Sequence, residues 1–537
     1  MKYLLGAVAL LLTVDAGAQQ PARPPRDLSS SVPTRPSVAP AVITGRVTAA
    51  DSRLPLRNAI VSATSQNAPP REAITDDRGM FQMTDLRPGA WQLTVSRQGY
   101  ISRKFGQSRP FGRSAPIELA AGGQVTVEIP LTRASAIVGR IFDEFGEPIT
   151  AARVTALRPT TSKERRYLEP VGETDSTDDT GAFRLHSLPA GEYYITASAR
   201  IAPPDSSVQT TMAPTFYPGT VDFGAAQKVR VGPAAEAFAE FTLLPVRNAR
   251  VSGYISAAGG RVANAFVSLN AAAEELASTF GFGGVTREDG SFMMSEIPPG
   301  NYTLIAEIRT GPSTVAEIGT MAVTVNGADI ENLSISTSKL GTLRGTIVAD
   351  AGVTRPLPQN IDVFARPRRA GLQNTFATAT GTTFELVSPS GPFTLEAAVP
   401  NGWAVKSMTL GGLDATDLAL DIAGEQGVPV TVVLTDRITE VSGTVSGVDG
   451  ASFVVLFPAD SSNWTARRVR MAQTDARGRF RIVGLPPGDK YLAVAVQELD
   501  EGQESDPEFL QQIVNAGTAF NLTAEEKRVV DLKVFKP

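Results

Sequence analysis

Short runs of alternating hydrophobic and polar residues, separated by turn-forming residues, extend along most of this chain. The pattern is clearest from Thr75 to Tyr100. There Phe81 and Met83, then Trp91, Leu93 and Val95, alternate with polar neighbours, the period of two expected of strands with one buried face. Asp76-Asp77-Arg78-Gly79 precedes the first run, and Leu86-Arg87-Pro88-Gly89 separates the two. Both are turns. Asp bonds back to nearby backbone, Pro presets φ, and Gly accepts a backbone geometry that side chains resist. The same plan returns at Asp178 to Tyr193, Glu288 to Tyr302 and Asp475 to Tyr491, with a worn copy from Gly381 to Leu395. That makes five repeats.

Each repeat opens with a strand running through glycine, at Gly45, Gly139, Gly253, Gly345 and Gly443. Glycine inside a strand marks a bulge or a close approach of another chain segment. A second strand follows in most repeats, as in 59–63, 152–156, 265–269 and 453–457, and closing strands are expected at 125–131, 239–243, 333–336, 430–434 and 530–534. Measured between Gly79, Gly181, Gly290, Gly381 and Gly478, the period is 102, 109, 91 and 97 residues. Solenoid repeats are far shorter, whereas ~100 residues with about seven strands suit a self-sufficient β-sandwich. The fold class expected is therefore all-β, a tandem array of about five Ig-like or transthyretin-like β-sandwich domains. Their expected limits are 42–133, 134–246, 247–338, 339–436 and 437–537. One helix is expected, at 506–513, where Asp506 caps, Pro507 suits the first turn, and Phe509, Leu510 and Ile513 share a face.

The motif series G-x-V/I, N-A/A-x-V, T-D-x-x-G-x-F and L-x-P-G-x-Y/W, ending in Gly99-Tyr100, resembles the carboxypeptidase regulatory-like domain. The resemblance is strong in repeats one, two, three and five and poor in four. It implies a small transthyretin-like, or prealbumin-like, sandwich related to carbohydrate-binding modules and bacterial B-type Ig-like repeats. It also implies a module that sits beside a catalytic domain rather than being one, within a multi-repeat secreted bacterial protein.

Composition changes the picture mainly at the N-terminus. Met1-Lys2, the apolar run 4–14 and the small residues 16–18 read as a signal peptide over 1–18, too short for the ~20 residues of a spanning helix. A Pro- and Ser-rich linker is expected over 19–41. The expected location is secreted or periplasmic, with no transmembrane segment after signal cleavage. The chain has no cysteine, so each repeat must be held by core burial alone. A formal net charge of -5, with both signs interspersed over 537 residues, gives no reason to expect nucleic acid as a partner.

Candidate chemistry is sparse. The single histidine, His186, leaves no ligand set for a zinc peptidase and falls on the polar phase of its strand. The acid pairs Asp76/Asp77 and Asp178/Asp179 are adjacent in sequence, a poor arrangement for flanking a glycosidic bond, and they fade between repeats while Gly and Phe persist. The run 175–181 is rich in oxygens but lacks the spacing of a calcium loop. No catalytic residue, metal or cofactor is therefore assigned, and the chain is read as not an enzyme. The remaining candidates are loop groups able to stack on or hydrogen-bond a ligand: Phe216, Tyr217, Phe280, Phe282, Trp464 and Arg467. The leading function is extracellular binding, adhesion or spacing, with a glycan, cell-wall polymer or surface protein as partner. The alternative is an accessory or regulatory component of a secreted hydrolase such as a carboxypeptidase.

Overall fold

A computed structural model describes residues 39–162, 165–200, 210–276, 281–311, 314–369, 371–422, 426–447, 452–475 and 477–535. The expected signal peptide and most of the expected linker lie outside the described residues. The described chain is all-β, built as successive β-sandwiches with one short α-helix.

The first repeat shows the plan. Its opening strand, Ala41–Ala49, is the middle of a three-stranded sheet, antiparallel to Met80–Leu86 and parallel to the closing strand Gln124–Leu131. The facing sheet carries Ala68–Ile74, Ile60–Ser65 and Gly89–Ser96 in that order, with short edge strands at Arg103–Lys104 and Ile117–Leu119. Alternate residues of both sheets, among them Ile43, Val61, Phe81, Trp91 and Leu93, fill the core between them.

In all five repeats the opening strand pairs antiparallel with the strand after the Gly turn and parallel with the closing strand. The registers match at one position. The strand glycine lies opposite the phenylalanine of the turn motif every time: Gly45 with Phe81, Gly139 with Phe183, Gly253 with Phe292, Gly345 with Phe384, and Gly443 with Phe480. A Cβ on Gly45 would sit 2.6 Å from the Phe81 ring and 2.7 Å from the Val127 carbonyl oxygen. At Gly139, Gly253 and Gly443 it would overlap a carbonyl oxygen of the closing region, those of Ala239, Leu333 and Val530, and at Gly345 the Phe384 ring itself. The glycine is thus the floor on which the ring lies. This register identifies the worn fourth copy as a repeat of the same kind.

Five hydrophobic clusters, each drawn from one repeat, form the sandwich cores. Repeat five departs from the others in two ways. Its final strand is split into Lys527–Val529 and Leu532–Phe535, because Asp531 turns its carboxylate onto the Thr444 amide (2.9 Å) and hydroxyl (2.7 Å). Leu532–Phe535 then pairs parallel with both Glu440–Ser446 and Lys490–Val496, joining the two sheets. Its strand Phe453–Pro458 is buried on both faces, one toward the sandwich core and the other beneath the helix Pro507–Ile513. Asp506 caps that helix, accepting from the Glu508 amide at 3.0 Å, and Leu510 and Ile513 are buried.

Candidate functional site

The recurring acids are occupied by the turns they belong to. Asp76 Oδ1 accepts from the amides of Arg78 and Met80, Asp178 Oδ1 from Thr180 and Ala182, and Asp475 Oδ1 from Arg477 and Arg479, all at 2.8–2.9 Å. The Thr180 hydroxyl and the two amides hold the Asp178 carboxyl below the usual carboxylate range. Arg479, with the Arg479 and Arg477 amides, brings Asp475 to about 2. These carboxylates are turn braces. Gly79, at φ +72, completes the reversal with the Val47 carbonyl oxygen against its α-carbon. Asp175 likewise spends its oxygens on the amides of Ser176 and Arg184, both at 2.8 Å. Among the described residues no group of three or more His, Asp or Glu side chains is placed to hold a metal ion. His186 is half exposed on its strand, 3.6 Å from a Glu173 carboxylate oxygen.

The threonine before the turn in repeats one, two, three and five carries more structure than its sequence signal conveys. Thr75 is buried; its hydroxyl donates to the Leu56 carbonyl at 2.6 Å and accepts from the Ala59 amide at 2.8 Å. Thr177 and Thr286 repeat both bonds, and Thr474 accepts from the Ser452 amide. The aromatic after each Pro-Gly turn is also structural. Trp91 Nε1 donates to the Arg87 carbonyl, and the hydroxyls of Tyr193, Tyr302 and Tyr491 donate to the carbonyls of Pro189, Pro298 and Pro486, at 2.7–3.0 Å. Burial pushes the Tyr302 hydroxyl up to about 12 and those of Tyr193 and Tyr491 further in the same direction.

The loop candidates separate by environment. Phe216 is buried, packed with Leu157 and Leu168 and 5.5 Å from the Phe223 ring. Tyr217 is half-buried against its repeat's core, edge-on to Phe241 at 6.1 Å. Phe282 leans on Tyr302 at 6.3 Å. Phe280 lies outside the described residues. Trp464 and Arg467 come together elsewhere, in a cleft where repeats two, four and five meet.

That cleft encloses about 790 Å³. Repeat five supplies Trp464 and Arg467 from the loop after a turn of 3-10 helix, Ser461–Asn463, capped by Asp460, and Arg470 from the start of the strand Arg470–Gln473. Repeat four supplies Trp403, Arg366 and Glu396, and repeat two supplies Arg165 and Tyr167 from the hairpin strand Arg165–Ser176. Trp464 is half-buried, edge-on to Phe457 at 5.9 Å, and its Nε1 donates to the Pro458 carbonyl at 2.8 Å. Arg467 is pinned across the repeat boundary: Nε and Nη2 donate to Asp417 at 3.0 and 2.8 Å, and Nη1 to the Val405 carbonyl at 3.0 Å. Arg468 reaches the same carboxylate at 3.0 Å. Burial pushes the Asp417 carboxyl up, but the two guanidinium groups outweigh it and hold the group below its ordinary range. Arg470 differs. It donates to the carbonyls of Ala466 and Val469, forms no ion pair among the described residues, and its pKa is drawn down by burial and then by Arg467.

A second cleft, of about 830 Å³, lies where repeats one, two and five meet. It shares Tyr167, Ala466 and Arg470 with the first. The sequence signalled Trp464 and Arg467 as loop groups; it gave no signal for Tyr167, Trp403 or Arg366, which reach the cleft from other repeats.

Two stretches of the chain, residues 42–132 and 136–218, one in each of the first two repeats, match the carboxypeptidase regulatory-like domain. Repeats three and five keep the same motif residues but lie outside the matched ranges. No curated protein is significantly similar to the chain. Among solved structures, the Bacillus anthracis TIE protein is 14% identical, covering 70% of this chain and 68% of its own, with a TM-score of 0.16. The major pilin subunit of Bacillus cereus is 12% identical over 56% of this chain and 99% of its own, with a TM-score of 0.15. Two B repeat units of the collagen binding protein of Staphylococcus aureus are 12% identical over 69% and 94%, also at 0.15.

Proposed function

We propose that this chain is a noncatalytic extracellular or surface binding protein that holds a segment of an extended polymer in the cleft between repeats two, four and five. The observation carrying this reading is the cleft itself: a concave site of about 790 Å³ that gathers flat aromatic rings and guanidinium groups from three separate repeats. Binding sites of folded proteins are typically clefts of this size with a few convergent polar groups, often at domain junctions. The extracellular part of the proposal rests on the N-terminal signal pattern, which lies outside the described residues. A pure spacer role finds less support, because ion pairs fold repeat five back onto repeats one and two.

Titration of the full chain against glycan, cell-wall polymer and peptide libraries tests the reading. A bound polymer is expected, with affinity reduced about tenfold in Tyr167→Ala while the melting temperature holds. Two results would sink the proposal: no ligand in any library, or one whose affinity is unchanged in both Tyr167→Ala and Trp464→Ala. Cleavage of the libraries by the purified chain would remove the noncatalytic part and return the hydrolase reading.

A further inference from the structure

We infer that the ligand of this cleft is an acidic polysaccharide, a chain bearing uronic-acid carboxylates, with one carboxylate seated against Arg470; the inference rests on the binding role proposed above. Five arginines and two carboxylates line the cleft among the described residues, on a chain whose net charge is -5. Both carboxylates are already taken. Glu396 lies 2.6 Å from Arg366 Nε, and Asp417 is shared by Arg467 and Arg468. Arg470 is half-buried, donates to backbone carbonyls and forms no ion pair among the described residues; Asp417 and Glu396 act on it only from beyond ion-pair distance. Such a group is costly to desolvate, and a planar carboxylate is the partner its guanidinium fork fits best.

Two further features select a polysaccharide over an acidic peptide. The rings of Tyr167 and Trp464 are flat surfaces beside the exposed amides of Asn374 and Asn401, matching a pyranose, which has apolar faces and a hydroxyl edge. Arg470 and Tyr167 also stand where the two clefts join, so the surface continues past the cationic centre in both directions. A polymer uses that length; a single sugar does not.

The test is titration of the full chain with polygalacturonate oligomers, with neutral galactan oligomers of equal length, and with polyglutamate. Each is measured at about 0.05 M and about 0.5 M salt, where screening differs severalfold. Polygalacturonate is expected to bind at least about tenfold tighter than galactan and to weaken with salt. Arg470→Met should remove that preference. Because Arg470 is half-buried, Asn374→Asp and Asn401→Asp supply the independent check: both sites are exposed, and each added negative charge should weaken polygalacturonate binding without changing the melting temperature. Equal binding of galactan with silent Asn→Asp variants overturns the acidic assignment and leaves the cleft as a neutral-glycan site. Preference for polyglutamate overturns the choice of polysaccharide. Failure of every oligomer to bind overturns the inference, and the binding role falls with it only if the wider libraries are also silent.

Discussion

A glycine and a phenylalanine facing each other across two strands are the smallest unit that all five repeats share. The obstacle to a larger side chain differs between copies, and the difference is measurable. At Gly443 the nearest atom to an added Cβ is the Val530 backbone oxygen; at Gly345 the three nearest all belong to the Phe384 ring. Gly345→Ala and Gly443→Ala are each expected to cost about 1–3 kcal/mol or more in denaturant unfolding, as overpacking does. Shrinking the ring should help only where the ring is the obstacle. The pair Gly345→Ala/Phe384→Leu is thus expected to be less damaging than the sum of its members by about 1 kcal/mol, and Gly443→Ala/Phe480→Leu to be additive. Gly284→Ala, with open space around it, should fall within about 0.5 kcal/mol of the parent chain.

Between neighbouring elements, charge takes over from packing. Asp350 follows the opening strand of repeat four, Thr342–Ala349, and joins two other segments: Lys406 Nζ on the strand Ala404–Leu410 at 2.6 Å, and Arg437 Nη2 in the connection to repeat five at 2.8 Å. Arg437 also reaches Glu525 at 3.2 Å. Hydrogen bonds from Lys406 and then Arg437 bring the Asp350 carboxyl down to about 2. A carboxyl depressed in the folded state stabilises fully above its unfolded pKa of about 3.9, and that stability is lost as pH falls through the folded value. Unfolding followed from pH 5 to pH 2 (roughly the span of the two pKa values) should therefore show repeat four weakening below about pH 4. In Asp350→Asn the chain should be less stable at neutral pH and lose less on acidification.

At the scale of the molecule, repeat five is tied back to the start of the chain. Arg109 meets Glu498 and Asp500 at 3.2 and 3.0 Å, Arg158 meets Asp500 at 3.3 Å, Arg166 meets Glu508, and Arg113 meets Glu504. The Glu501 amide adds a bond to the Phe111 carbonyl at 3.1 Å, and Arg158 stacks on the Phe111 ring at 3.7 Å. Single surface pairs contribute only about 0–1 kcal/mol each and are screened by salt, so the closure is held by number rather than by any one bond. Small-angle scattering should report a larger radius of gyration in about 1 M salt, where the Debye length is about 3 Å, and in Arg109→Glu/Arg166→Glu at low salt. An unchanged radius under both conditions would assign the closure to apolar contact instead. Opening would also draw repeat two, which carries Arg165 and Tyr167, away from repeat five and its Trp464, so if the proposed cleft binds polymer, binding and compaction are expected to rise and fall together.

Local chemistry was enough to determine the sandwich class, the five-fold recurrence, the turns, and the helix with its cap and buried face. Each follows from residues within a few positions of one another: alternation sets the face, Asp and Gly set the reversal, and Asp506-Pro507 sets the helix start. The motif also marked Asp76, Asp178 and Asp475 as parts of their turns, since Gly and Phe recur at fixed distances from them. Tertiary structure decided what depends on residues far apart in the chain. The parallel pairing of opening and closing strands joins segments about 80 residues apart, as at Val42 and Gln124, and a period of two leaves the partner unspecified. Thr75 has no sequence mark that sets it apart from other turn residues; its buried hydroxyl bridges Leu56 and Ala59 in the loop before the strand Ile60–Ser65. Phe216 and Trp464 read alike as loop aromatics; packing placed one in the interior and the other at a junction of three repeats. The cleft has no sequence signal of its own, because its walls come from Tyr167, Trp403 and Arg470, more than 300 residues apart at the extremes, and only the folding back of the chain brings them together.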